Sequence, residues 1–120
     1  MARLSGRRVL VVEDEYFIAA DLKRAFGEAG AEIIGPVNDL DAALRMIVSE
    51  QIDVAVLDIH LEGAESYPVV DALIDQAVPF LFLTGYDGWA LPQRYRAHPR
   101  LSKPIPAETI VDTLSKLSEA

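Results

Sequence analysis

Glu13, Asp14, Asp58, Thr84 and Lys103 each follow directly on a short apolar or β-prone run of this 120-residue chain. Val9-Leu10-Val11-Val12 leads into Glu13-Asp14, Val54-Ala55-Val56-Leu57 into Asp58, and Phe80-Leu81-Phe82-Leu83 into Thr84. A weaker segment precedes Lys103-Pro104. If these runs are parallel strands, their ends bring carboxylates, a hydroxyl and an ammonium to one sheet edge, a set that suits a divalent cation and a phosphoryl group. Mg²⁺ takes hard oxygen ligands in an octahedron and keeps several waters, so two or three carboxylates suffice. Glu13, Asp14 and Asp58 can supply them, with a backbone carbonyl just after Asp58, that of His60, as a further ligand. One acid at a strand end is ordinarily a polar residue at the water boundary; an adjacent pair with a third acid on a neighbouring strand points to a site. Asp58 has the position of a nucleophile, because a carboxylate can attack phosphorus to form an aspartyl phosphate. Phosphoryl transfer depends on in-line positioning and on neutralising the equatorial oxygens. The Lys103 ammonium can contact one such oxygen and the Thr84 hydroxyl another, although each residue taken alone reads as ordinary surface or strand-end chemistry.

The elements that must position these groups are legible in the periodicity. Arg8 to Val12 reads as a strand buried on both faces, because its apolar residues are continuous. From Glu15 to Ala29, Ile18, Leu22, Ala25, Phe26 and Ala29 recur at helical spacing, and Gly30 stops the helix. Glu32 to Pro36 is a short second strand, which Pro36 confines to an edge or a strand end. Asn38 or Asp39 caps a second helix through Glu50, with Leu40, Ala43, Leu44, Ile47 and Val48 on its inner face. Asp53 to Asp58 is a third strand and Leu61-Glu62-Gly63 a loop. Ser66 to Gln76 is a third helix with Val69, Val70, Leu73 and Ile74 inward, and Pro79 to Thr84 a fourth strand. Gly85, Gly88, Pro92 and Pro99 leave room for one short fourth helix, about Gly88 to Tyr95. A brief fifth strand, Arg100 to Ser102, precedes the last helix, Ala107 to Leu117, whose stripe is Ile110, Val111, Leu114 and Leu117. Alternating strands and helices with right-handed crossovers give an α/β fold, a doubly wound (βα)5 parallel sheet of order 2-1-3-4-5, with ligands at the carboxyl ends of the strands.

Composition narrows the function. Nineteen acidic residues against eleven basic ones give a formal charge of −8, which disfavours unspecific contact with nucleic acid or an anionic membrane. The one basic cluster, Arg3, Arg7 and Arg8, reads as a solvated lead-in to the first strand. There are no cysteines, so disulfides and thiolate metal sites are excluded. No apolar run approaches the ~20 residues of a membrane-spanning helix and no signal peptide is visible, so a cytoplasmic location is expected. Competing sites are weak: there is no GxxxxGKS/T or GxGxxG phosphate loop, and His60 and His98 lack a helical metal-ligand spacing.

The chain resembles the receiver domain of two-component response regulators over essentially its whole length. Val11-Val12-Glu13-Asp14-Glu15, Leu57-Asp58-Ile59-His60-Leu61, Leu83-Thr84-Gly85 and Lys103-Pro104 carry the resemblance. It implies a flavodoxin-like fold in which Asp58 is the phosphoacceptor, Glu13 and Asp14 hold Mg²⁺ with it, and Thr84 and Lys103 bind phosphoryl oxygens. It also implies a cis Lys103-Pro104 bond. Receivers usually carry a switch Tyr or Phe three residues before the lysine; here that position is Arg100. Tyr86 instead lies two residues after Thr84, in Pro79-Phe80-Leu81-Phe82-Leu83-Thr84-Gly85-Tyr86, a segment similar to the "FAT GUY" subfamily apart from Leu83. Members of that subfamily are often stand-alone and paired with histidine kinases of the HWE type, which would make this a bacterial signalling protein.

The expectation is a single receiver domain over residues 1–120, a phosphoacceptor and not an enzyme in the usual sense. It would take its phosphoryl group from a histidine kinase or histidine phosphotransfer protein and signal through protein contacts of the 84–120 face. No output module follows Leu117, and a monomer or weak homodimer is expected. The segment from Gly85 to Pro99 is the element expected to change order, with Trp89 as its reporter. His60 and Tyr86 flank the phosphoryl site and are expected to restrict the attacking water and so set the lifetime of the phosphorylated state. Two rivals remain: a pseudo-receiver interaction module that never carries phosphate, and a small phosphatase with Asp58 as nucleophile and His60 as its only candidate acid/base.

Overall fold

Strands that are apolar at every position need cover on both faces, and the computed structural model, which describes residues 3–61, 64–85 and 92–119, provides it. In chain order the elements are β1 (Arg8–Val12), α1 (Tyr16–Glu28), β2 (Glu32–Val37), α2 (Leu40–Ser49) and β3 (Val54–Asp58). A small hairpin of β4 (His60–Leu61) and β5 (Ala64–Glu65) follows, then α3 (Tyr67–Asp75) and β6 (Phe80–Thr84). A 3-10 turn (Gln93–Tyr95), β7 (Arg100–Ser102) and α4 (Ala107–Glu119) complete the chain. The five-stranded sheet runs β2-β1-β3-β6-β7 with every pairing parallel. Counting only its own strands, this is the 2-1-3-4-5 order expected from the sequence.

Side chains alternate across each strand, and the alternation divides the core in two. Leu10, Val12, Ala55, Leu57, Phe80 and Phe82 pack toward Ala43 and Ile47 of α2 and Val69, Val70 and Leu73 of α3. Val9, Val11, Val54, Val56, Leu81 and Leu83 face the other way, toward Leu22 and Phe26 of α1 and Ile110, Val111 and Leu114 of α4. Asp39 caps α2 by accepting a hydrogen bond from the Ala42 N–H at 2.8 Å. Pro36 sits in β2, the edge strand beside β1, as its missing N–H requires. Gly35 before it has φ +100°, and a Cβ there would meet the Val37 nitrogen at 2.8 Å and the Val11 carbonyl at 3.0 Å, so the position needs glycine. Both Gly35-Pro36 and Lys103-Pro104 are cis; the second was expected, the first was not.

Several expectations need correction. Val48 is 82% exposed and Ile74 45% exposed, so neither belongs to an inner face. Each lies one residue, about 100° of helix rotation, beyond a buried neighbour, Ile47 or Leu73, and the sheet covers only the nearer flank. The segment after Asp58 is no plain loop: His60 pairs with Glu65 and Leu61 with Ala64, and the Ser66 N–H donates to the Ile59 carbonyl at 2.8 Å. The basic cluster is not all solvated. Arg8 donates to Glu32, to Glu50 and to the Gln51 carbonyl, and its own main-chain N–H donates to Asp53. The expected fourth helix falls partly outside the described residues, as do Tyr86 and Trp89; its described end is the 3-10 turn. Among the described residues, no helix is long and apolar enough to cross a membrane.

Candidate functional site

β1 and β3 lie side by side at the centre of the sheet, so the residues that leave their carboxyl ends are neighbours. One ligand oxygen from each of Glu13, Asp14 and Asp58 can be chosen such that all lie within 4.8 Å of one another. The strand order therefore brings together the three acids singled out from the sequence. β6 continues the edge: Asp58 registers with Leu83, and Thr84 with Ser102 of β7. Thr84 is buried, and its carbonyl accepts from the Lys103 main-chain N–H at 2.7 Å. That bond ties the ends of β6 and β7 together and delivers the lysine to the acids.

Lys103 is the hub. Its Nζ donates to Glu13 Oε1 at 2.9 Å, to Asp58 Oδ2 at 3.0 Å and to Glu15 Oε2 at 2.7 Å. Burial by itself would depress the ammonium, but its hydrogen bonds to Glu15, Glu13 and Asp58 outweigh burial and hold it above its ordinary value. Glu13 is affected in the opposite sense. Burial pushes its carboxyl up to about 7, and the charge of Asp58 adds to the rise, against the lowering effect of Lys103. The second Asp58 oxygen, Oδ1, accepts from the His60 N–H at 3.1 Å, which orients the carboxylate from the hairpin side.

One atom does not fit a finished ion-pair network. Glu13 Oε2 is buried and, among the described residues, has no hydrogen-bond partner. A buried carboxylate oxygen left unpaired is costly, and the place of this carboxylate beside Asp14 and Asp58 suits a hard cation with oxygen ligands. The donor set thus fits Mg²⁺: Glu13, Asp14 and Asp58 offer carboxylate oxygens, and the Lys103 ammonium already bonds to two of the three.

His60 is exposed on β4, and its main-chain N–H is committed to Asp58. Arg100 is exposed on β7, so no aromatic side chain enters from the usual switch position. Tyr86 lies outside the described residues. Two features of the site and its surroundings are not evident in the sequence. Glu15 is a third carboxylate on Lys103; an acid two residues after Glu13, at the mouth of a helix, was the available signal. Tyr95 is buried, stacks on Tyr67 at 4.9 Å between ring centroids, and donates its hydroxyl to Asp71 at 2.9 Å. These contacts anchor the turn before β7 to α3, and a helical pattern broken by prolines gave no sign of them.

Comparison with known proteins agrees with this geometry. Residues 9–115 match the response regulator receiver domain family. The solution structure of SdrG from Sphingomonas melonis Fr1 is 30% identical and superposes with a TM-score of 0.82, covering 100% of both chains. Among curated relatives, the sensory transduction protein LytT of Bacillus cereus is 32% identical over 113 residues, which span 91% of this chain and 46% of LytT. Sporulation initiation phosphotransferase F of Bacillus subtilis is 24% identical over 118 residues, 94% of each protein. The chain thus spans about half the length of LytT and nearly all of the sporulation protein. With the family matched across almost the whole chain and its acids, threonine and lysine gathered at one sheet edge, the chain belongs to the receiver domains of two-component response regulators.

Proposed function

We propose that the chain is a phosphoacceptor that takes a phosphoryl group from a phosphohistidine onto Asp58. A carboxylate oxygen of Asp58 attacks phosphorus, the P–N bond breaks, and the departing imidazole keeps the bonding pair and is protonated. Glu13, Asp14 and Asp58, with the His60 carbonyl, would hold Mg²⁺, which supplies positive charge to the phosphoryl oxygens when bound. Lys103 stands within 3.0 Å of Asp58 Oδ2 and is placed to neutralise one of the oxygens that arrive there. Thr84, at the end of the neighbouring strand, offers its hydroxyl to another. The His60 N–H holds Asp58 Oδ1 and so limits rotation of the nucleophile.

The observation that carries this reading is the buried, unpartnered Glu13 Oε2 beside an Asp58 carboxylate already in contact with a lysine. A histidine kinase, with those of the HWE type as the expected class, or a histidine phosphotransfer protein is the donor. The 84–120 part of the chain would signal through contacts with a protein partner, from a cytoplasmic location. The chain assists its own phosphorylation without turning over a substrate. Incubation with a radiolabelled, autophosphorylated histidine kinase tests this directly. The label should pass from kinase to chain in Mg²⁺ and stay on the kinase in EDTA; transfer that is equal in both would contradict the proposed site.

A further inference from the structure

An ammonium has three N–H donors, and Lys103 spends all of them on carboxylates: Glu13, Asp58 and Glu15. A phosphoryl oxygen can therefore reach the ammonium only if one of these bonds is given up. The three are not equivalent. Glu13 and Asp58 are buried and belong to the acid trio that can hold a cation. Glu15 is outside the trio, and its side chain is 58% exposed. Water can resolvate the Glu15 carboxylate but cannot readily replace the ammonium at the buried pair.

The local backbone explains why Glu15 points at the lysine. It occupies the N-cap position of α1, but its side chain makes no capping bond. Its main-chain N–H donates instead to Glu13 Oε1 at 3.3 Å. Glu15 N–H, Glu13 Oε1, Lys103 Nζ and Glu15 Oε2 thus close a ring of hydrogen bonds. Glu15 and Lys103 also line a cavity of about 710 Å³ together with Ile18, Leu22, Pro104 and Ile105, so the glutamate has open space to swing into once released.

We infer that Glu15 is a positioning residue that holds Lys103 in the resting protein and competes with the phosphoryl group for its ammonium. This rests on the phosphoacceptor reading above and deepens it. A carboxylate that shares the lysine also repels a dianionic group bound to Asp58. Both effects act in one direction: Glu15 weakens the binding of a phosphoryl group and shortens its stay.

The test is titration calorimetry of beryllofluoride in excess Mg²⁺ against the wild type, Glu15→Gln and Glu15→Ala, with Mg²⁺ affinity and melting temperature measured alongside. Both variants should bind beryllofluoride about two- to fivefold more tightly, the scale of one partly exposed charge pair. Mg²⁺ affinity should not rise, since removing a nearby negative charge cannot strengthen cation binding. A role confined to capping or packing would lower the melting temperature and give no gain in beryllofluoride affinity. Equal or weaker beryllofluoride binding by both variants, with the wild type binding normally, would overturn the inference. If the wild type itself binds no beryllofluoride, the phosphoacceptor reading fails, and this inference with it.

Discussion

At the amino end of β1, the Arg8 guanidinium reaches Glu32, Glu50 and the Gln51 carbonyl, while Asp53 takes its main-chain N–H. At the carboxyl edge of the same sheet, the Lys103 ammonium reaches Glu13, Asp58 and Glu15. Both are cations ringed by acids, yet they differ in the cation and in the burial of the acids around it. Arg8 presents a rigid planar fork to partners that keep contact with water, Glu32 at 64% and Glu50 at 39% side-chain exposure. It pins β2 and the turn before β3 to the start of β1. Lys103 is a point charge on a flexible stem, set against a buried glutamate with one oxygen unpaired. A satisfied clamp holds a fold together. A cluster that keeps a buried carboxylate oxygen unpaired has capacity for a cation.

Replacing each cation separates the two roles. Lys103→Met should cut the rate of phosphorylation by about 10²-fold, the usual cost of losing one charge-stabilising donor. It should also tighten Mg²⁺ binding, because a competing cation leaves the same carboxylates. If phosphorylation is unaffected, Lys103 is a clamp like Arg8. Arg8→Met should leave phosphorylation and Mg²⁺ affinity unchanged and cost about 1 kcal/mol of stability, a fall of roughly 4 °C in melting temperature. A loss of phosphorylation in a folded Arg8→Met protein would break the contrast.

The smallest effect concerns pH. Glu13 is raised from 4.5 to about 7, chiefly by burial. The stability tied to its protonated form is therefore fully present below its unfolded value and is lost as pH rises through about 7. In EDTA, melting temperature should fall across that window, and Glu13→Gln should remove part of the fall. An unchanged pH slope in the Glu13→Gln protein would show that burial of this carboxyl is not the cause.

How much of this was legible beforehand follows from the range of each interaction. The central strands announced themselves because burial on both faces leaves no polar position, and Asp58 and Glu13-Asp14 stood out because polarity begins abruptly where each strand ends. The Arg8 contacts are not legible in the sequence, since Glu32 and Glu50 lie 24 and 42 residues away and meet it only through sheet register and the end of α2. The β4–β5 hairpin has two residues per strand, too few for any period to appear. Val48 and Ile74 sit at the margin of an apolar stripe, where periodicity names the face but not its width. Glu15 was visible as an acid, but its bond to Lys103 depends on how the first turn of α1 is presented to a residue 88 positions later.

The central claim is that Asp58, next to Lys103 and the acid pair, accepts a phosphoryl group. Its most direct test is the intact mass of the protein after incubation with acetyl phosphate and Mg²⁺, run beside Asp58→Asn. A gain of one phosphoryl group in the wild type and none in the variant is the expected result. No gain in the wild type, or the same gain in the variant, would contradict it.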